Sequence, residues 1–310
     1  MEEADKPVWV WTPESTEPMQ AGTFSLKSGV RTTGVFSYSK EYIAASDAFA
    51  LDPLHLPFSS RLTARSRHKD GLFGCLRDAC PEGYGRDMLI HRYGLQSNPD
   101  PLTLLEVSPG DGVGAIEVCE NIQQKMDFRA PVAQRLLELM ADLPPERHSS
   151  RAVHQLLDVG TSMGGERPKT TVQHDGALWL AKLQDRGDAP HMPAREFAAM
   201  QLAQMCGIRA SRTALHTVGE RREVLFVKRF DRADLSGKRV PYLSANTLLG
   251  LDIDAMRGDK ARSYLVLADR ARQIGVPAED IKEIWRRMAF NALVHNVDDH
   301  PRNHGFILDG

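Results

Sequence analysis

Asn291-Ala-Leu-Val-His-Asn-Val-Asp-Asp-His-Pro-Arg-Asn-His-Gly-Phe-Ile-Leu308 decides how the 310-residue chain is read. Its first residues continue an amphipathic pattern that runs from Glu279 to His295, the spacing of a helix. Its last three, Phe306-Ile307-Leu308, form a short apolar run that suits a strand. Between them Pro301 prevents the helix from simply continuing, because its ring clashes with the preceding turn and it has no N–H to donate. The polar cluster from Asp298 to Asn303 is therefore expected on a loop pinned between helix and strand. Four residues separate Asp298 from Asn303. Alone, that spacing mostly marks a loop that caps two elements; the apolar elements on either side give it weight.

The same spacing separates the catalytic aspartate of protein kinases from a metal-binding asparagine. One carboxylate accepts the proton of the substrate hydroxyl, and a nearby amide oxygen holds Mg²⁺ against the phosphates. By spacing, Asp298 is the candidate base and Asn303 the metal ligand, which leaves Asp299 to structure the loop or to stand behind its neighbour.

Upstream lies Gly160-Thr-Ser-Met-Gly-Gly-Glu-Arg-Pro-Lys169, followed by Thr170-Thr-Val172 and Leu178-Trp-Leu-Ala181 on either side of His174-Asp-Gly176. Asp-Gly between apolar runs predicts a hairpin. Glycines ahead of it let backbone N–H groups approach phosphate, or else merely connect two units. Lys182 shares a strand face with Leu178 and Leu180. A lysine there either snorkels to water or binds an anion. Pro193 to Cys206 is expected as a helix with Ala198, Leu202 and Met205 on its apolar stripe. Val224 to Phe230 is expected as a strand, and Ala261 to Ile274 as another helix.

Three strings together resemble the HipA family of bacterial serine/threonine kinases: N-x-D-D-H-x-[KR]-N-H in the loop, S-x-G-G-x-[RQ]-P-K before the hairpin, and V-x-R-F-D-R at Val227–Arg232. The resemblance covers nearly the whole chain. It implies an α+β, protein-kinase-like fold, with an N-terminal β-containing subdomain (1–128) and a kinase-like domain (129–310) made of a small lobe with hairpin and helix and an incomplete helical large lobe. It implies ATP and Mg²⁺ as cofactors. Gly164, Gly165, Lys169 and His300 would contact the nucleotide, and Lys182 would hold its α- and β-phosphates with Glu196 as partner. The strand ending at Lys228 and Phe230 would lead into the adenine hinge, although Phe230 is equally a core residue. Ser162 is the implied autophosphorylation site, with Thr161 as neighbour. Two positions depart from the family's usual choice: Arg302 stands for lysine and Lys228 for glutamate. The second metal-binding aspartate is expected beyond Gly310, so the chain is expected to be C-terminally truncated.

By the same resemblance, the activity is that of a toxin from a two-gene toxin–antitoxin system. It would phosphorylate a protein, an aminoacyl-tRNA synthetase among the family's substrates. A small helix-turn-helix antitoxin of the HipB type would bind it, with DNA contacted only through that partner. A non-catalytic nucleotide- or antitoxin-binding fragment, and a small-molecule kinase on the same fold, are the alternatives.

Composition agrees with a soluble enzyme. A hydrophobic fraction of 42% supplies cores, and a net charge of -2 creates no global field for nucleic acid. Four cysteines without C-x-x-C spacing read as free thiols in a reducing cytoplasm. An acidic N-terminus without an apolar stretch behind it predicts neither signal peptide nor membrane contact. Nearer the N-terminus, Thr23–Leu26 and Gly34–Tyr38 alternate as strands, Gly83–Tyr93 is helical, and Gly110, Gly112 and Gly114 mark a plain loop between Val107 and Val118. Pro131 opens a helix with Val132, Leu136, Leu139, Met140 and Leu143 on one face, and a domain boundary follows it.

Overall fold

A computed structural model describes residues 5–27, 30, 32–59, 63–142, 165–184, 188–219, 222–232, 234–255 and 258–308. The chain forms two compact units that do not follow chain order. One holds Met1–Ala79, Val113–Glu120 and Arg239–Gly310; the other holds Cys80–Gly112 and Asn121–Lys238.

In the first unit, β1 (Lys6–Val10), β2 (Met19–Lys27), β3 (Thr33–Tyr38), β4 (Thr63–Arg65) and β5 (Ile116–Val118) form an antiparallel sheet in the order β4-β3-β2-β1-β5. Period-two alternation puts Phe24 and Phe36 opposite each other. Both meet Phe73 edge-on, with ring centroids 6.2 Å apart. Only glycine fits at position 34, where a Cβ would lie 1.9 Å from the carbonyl oxygen of Gly71. Two short helices, α1 (Lys40–Ala44) and α2 (Gly74–Ala79), also belong to this unit.

The same unit contains β10 (Tyr242–Ser244), a short helix (Ala245–Leu248) and two longer ones (Tyr264–Gln273 and Ala278–Leu293). Leu248, Leu251, Leu267, Ala271 and Ile284 form their core. The closing strand β11 (Gly305–Ile307) pairs antiparallel with β10, Tyr242 opposite Ile307. The sequence left this last strand without a partner, because the partner lies far upstream, beyond three helices. Asp78 of α2 fixes β10 by accepting from the N–H and the hydroxyl of Ser244, at 2.8 and 2.6 Å.

The second unit begins with α3 (Gly83–Tyr93), α4 (Pro101–Val107), α5 (Ile122–Met126) and α6 (Ala133–Asp142). A four-stranded antiparallel sheet follows, in the order β6-β7-β9-β8. Its strands are β6 (Lys169–His174), β7 (Ala177–Leu183), β8 (Thr213–Val218) and β9 (Arg222–Lys228). α6 buries Leu136 and Met140 against Val172, Trp179, Val224 and Phe226 of one sheet face. α7 (Met192–Met205) packs against β8 and β9. In chain order, the helices of the first unit that follow are the short α8 (Ala245–Leu248), α9 (Tyr264–Gln273) and α10 (Ala278–Leu293).

Three local expectations need correction. Val132 is exposed rather than on the inner face of α6, because the chain is still extended there and bridges Gln173. The stripe Ala198, Leu202, Met205 of α7 faces solvent, and the helix buries Pro193 and Ala203 instead. Apolar residues lie all round that helix, so spacing alone selects no face. The glycine loop after Val107 ends in β5, a buried three-residue strand. Leu143 and the expected boundary behind it lie outside the described residues. None of the four cysteines forms a disulfide. Among the described residues, no helix is long and apolar enough to cross a membrane.

Candidate active site

In the second unit the candidate residues gather on the β6–β7 hairpin. Asp175 (φ 47°) and Gly176 (φ 70°) are both left-handed, as a two-residue type I′ turn requires. The turn fixes the register, and the register sets Lys169 directly across from Lys182. Lys182 projects from the face of β7 opposite Trp179 and Ala181 and forms an ion pair with Glu196 of α7. Lys169 is only 6% exposed. Burial, reinforced by the charge of Lys182, lowers its pKa to about 8, while Glu196 and Glu166 oppose the fall. Two ammonium groups thus lie close together, one of them buried, a setting in which a bound anion would relieve their repulsion.

The glycine-rich run ends at the same place. Gly165 is left-handed (φ 98°), and a Cβ there would lie 2.5 Å from the Lys169 ammonium. Its carbonyl accepts from the Tyr84 N–H at 3.0 Å, which ties the end of the run to the start of α3.

At the far end of β9 the side chains alternate between interior and solvent. Lys228 is half-buried and Phe230 is 47% exposed, whereas Arg229, Asp231 and Arg232 turn inward. Asp231 accepts a bidentate pair from Arg229 at 2.9 and 2.6 Å and a further bond from Arg232 at 2.9 Å. Both guanidinium groups also donate to the carbonyl of Gly112, and Arg229 to that of Asp111. The Asp111 carboxylate accepts from Thr171 on β6 at 3.0 Å. This buried knot anchors the glycine loop and holds Phe230 outward.

In the first unit, α10 ends at Leu293, and left-handed His295 (φ 54°) turns the chain away. Pro301–Asn303 forms one 3₁₀ turn before β11. The two adjacent aspartates are used differently. Asp299 is tied into the scaffold: it accepts from the Tyr264 hydroxyl at 2.7 Å and lies 2.7 Å from His304 Nε2. Burial and the bond to Asp299 push the Tyr264 hydroxyl pKa well above its usual value. Asp298 instead has a side chain 80% exposed, with His300 Nε2 3.5 Å away. Asn303 donates its Nδ2 to the Asp298 carbonyl at 2.6 Å, leaving its own carbonyl oxygen to accept. Among the described residues, no group of three or more His, Cys, Asp or Glu is arranged to hold a metal.

Two family models match the chain: the HipA N-terminal domain over residues 10–119 and the HipA-like C-terminal domain over residues 161–310. The chain belongs to the HipA family. Its structure is similar to a solved structure of the Shewanella oneidensis MR-1 toxin–antitoxin system HipA, HipB and its operator DNA complex. The TM-score is 0.70 at 19% identity, over 98% of this chain and 72% of that one. The fold is thus the mixed, kinase-like fold of HipA, with antiparallel sheets. No curated protein matches the chain.

Within this HipA-family fold, Gly165, Lys169, Lys182, Glu196, Lys228 and Phe230 belong to one unit, and Asp298, His300 and Asn303 to the other. Lys169, Lys182 and Glu196 come together, as do Asp298, His300 and Asn303. Thr161, Ser162 and Gly164 lie outside the described residues. Sequence reasoning missed Tyr264, whose bond to Asp299 spans 35 positions and leaves no mark in the loop's own string. It also missed Asp111, although its place in a glycine cluster was a signal.

Proposed function

We propose that this HipA-family chain is an ATP-dependent serine/threonine protein kinase of the toxin type, acting on a protein hydroxyl and on its own Ser162. The carrying observation is Lys182 paired with Glu196 beside the buried ammonium of Lys169. That donor set fits a polyphosphate, because a buried cation with a lowered pKa gains most from a bound anion. Gly165, Lys169 and Lys182 would hold the phosphates of ATP, and Lys228 and Phe230 would flank its base. His300 would assist from the loop.

The Asn303 carbonyl oxygen fits a hard divalent cation that keeps few protein ligands and shares the phosphates, as Mg²⁺ does. Bound there, Mg²⁺ would supply charge neutralisation on the phosphoryl group. Asp298 is the base, since its exposed carboxylate can reach a hydroxyl, whereas Asp299 is committed to Tyr264 and His304. By likeness to the Shewanella oneidensis complex, the partner is a HipB-type antitoxin, and DNA is reached through it.

The test is calorimetric titration with ATP, followed by phosphate transfer measured in the protein expressed from its whole gene. Lys182→Ala should weaken ATP binding by about tenfold or more, the worth of a hydrogen bond to a charged group. Asp298→Ala should keep ATP affinity and lose about 10²–10⁴-fold in transfer, the usual contribution of a general base. Unchanged ATP affinity in the first, or unchanged transfer in the second, overturns the proposal.

A further inference from the structure

The helix that carries Glu196 has no cap of its own. α7 is preceded by His191, which is left-handed (φ 60°, ψ 32°) and makes no side-chain cap. The first-turn N–H groups of any helix lack intrahelical partners and carry partial positive charge. Here the missing acceptor comes from another element. Glu223 of β9 accepts from the Ala194 N–H at 3.3 Å through Oε2, and its Oε1 lies 2.7 Å from His191 Nδ1. The Glu223 side chain is 13% exposed, whereas His191 is open to water, so the Ala194 bond is the more shielded of the two.

Register relates this contact to the phosphate-binding lysine. Leu225 of β9 pairs with Lys182 of β7, and Glu223 lies two positions before Leu225, hence on the same sheet face. That face grips α7 twice: Glu223 at Ala194 and Lys182 at Glu196. The two grip points are two residues apart, about 3 Å along the helix axis. The Lys182–Glu196 pair is itself half-exposed, at 31% and 40%, and a pair so open to water contributes too little to fix a helix alone.

We propose that Glu223 is a positioning residue: it clasps the N-terminus of α7 to β9 and so holds Glu196 on Lys182. The consequence for ATP rests on the nucleotide-binding reading of Lys182.

The experiment combines ATP affinity by calorimetry with amide hydrogen exchange over α7 for the parent, Glu223→Ala, Glu223→Gln, Glu196→Gln and the double variant Glu196→Gln/Glu223→Ala. Glu223→Ala should weaken ATP binding by about fivefold, the size of a lost helix cap, and should speed exchange in the first turns of α7. Glu223→Gln keeps an acceptor for Ala194 and should stay within about twofold of the parent. The double variant should bind ATP no worse than Glu196→Gln alone, because Glu223 acts through Glu196. A purely structural role would instead multiply the two losses, and that result overturns the proposal, as does unchanged affinity in Glu223→Ala.

Exchange needs no nucleotide. If Lys182→Ala binds ATP as the parent does, the nucleotide reading falls while exchange still decides the clasp, and unchanged exchange in Glu223→Ala overturns it. Should Glu223→Ala fail to fold, His191→Ala at an exposed position loosens the same carboxylate; unaltered exchange in α7 then counts against the clasp.

Discussion

Replacing Lys169 by methionine should stabilise the protein and weaken its hold on nucleotide. Lys169 is 6% exposed and lies opposite Lys182 across the hairpin. Its pKa falls from 10.5 to about 8, mainly through burial. At ~1.4 kcal/mol per unit, keeping it charged below pH 8 costs roughly 3 kcal/mol. Methionine has a similar unbranched length without the charge. After allowance for hydrogen bonds lost with the ammonium, a net gain of about 1–3 kcal/mol is expected at pH 7. The sign with pH follows from linkage. Between about 8 and 10.5 the unfolded chain binds more protons at this lysine than the folded one, so the parent gains stability as pH rises through that window. Below pH 8 the full penalty is present. Urea unfolding at pH 7 and pH 10, parent against variant, measures both effects: the variant should lead at pH 7, and the gap should close by pH 10. Its ATP affinity should drop by about tenfold or more. A variant less stable than the parent at pH 7, or a gap that does not narrow with pH, refutes the reasoning.

Two further substitutions probe the scaffolds around the two constellations. Asp231→Ala leaves two buried guanidinium groups without their carboxylate and should lower stability by about 3–5 kcal/mol in urea unfolding, whereas a loss under about 1 kcal/mol would mean the knot is not load-sharing. Tyr264→Phe removes the hydroxyl that binds Asp299 and should cost about 1 kcal/mol, seen as a melting shift of a few degrees; an unchanged melting point would contradict the role given to that bond.

The elements that the sequence announces are those whose cause is local. The Asp175-Gly176 turn, the alternation in β2 and β3 and the Pro301 break each depend on a few neighbouring residues, and each appears where the pattern puts it. The HipA motif strings carry the family for the same reason. What the sequence hides is set by tertiary partners. β11 has no sign of β10 in its own residues. The outward stripe of α7 follows from which side of an evenly apolar helix meets β8 and β9. The division of labour between Asp298 and Asp299 was half legible: spacing favoured the first, but only Tyr264 and His304 explain why the second is committed.

The pairing of Tyr242 with Ile307 also imposes a timetable. A ribosome makes β10 first, then all of Ala245–His304, and only then the strand that completes the ladder. At ~5–20 residues per second, roughly 3–12 s separate the two strands. The turn bearing Asp298 is made only in the last residues of that interval, and it has no exit anchor until the strand follows, since the Ala245 N–H to His304 carbonyl bond also waits for the late segment. The nascent chain therefore has its β6–β7 hairpin synthesised well before the Asp298 loop, and β10 waits with an open edge until the last strand arrives.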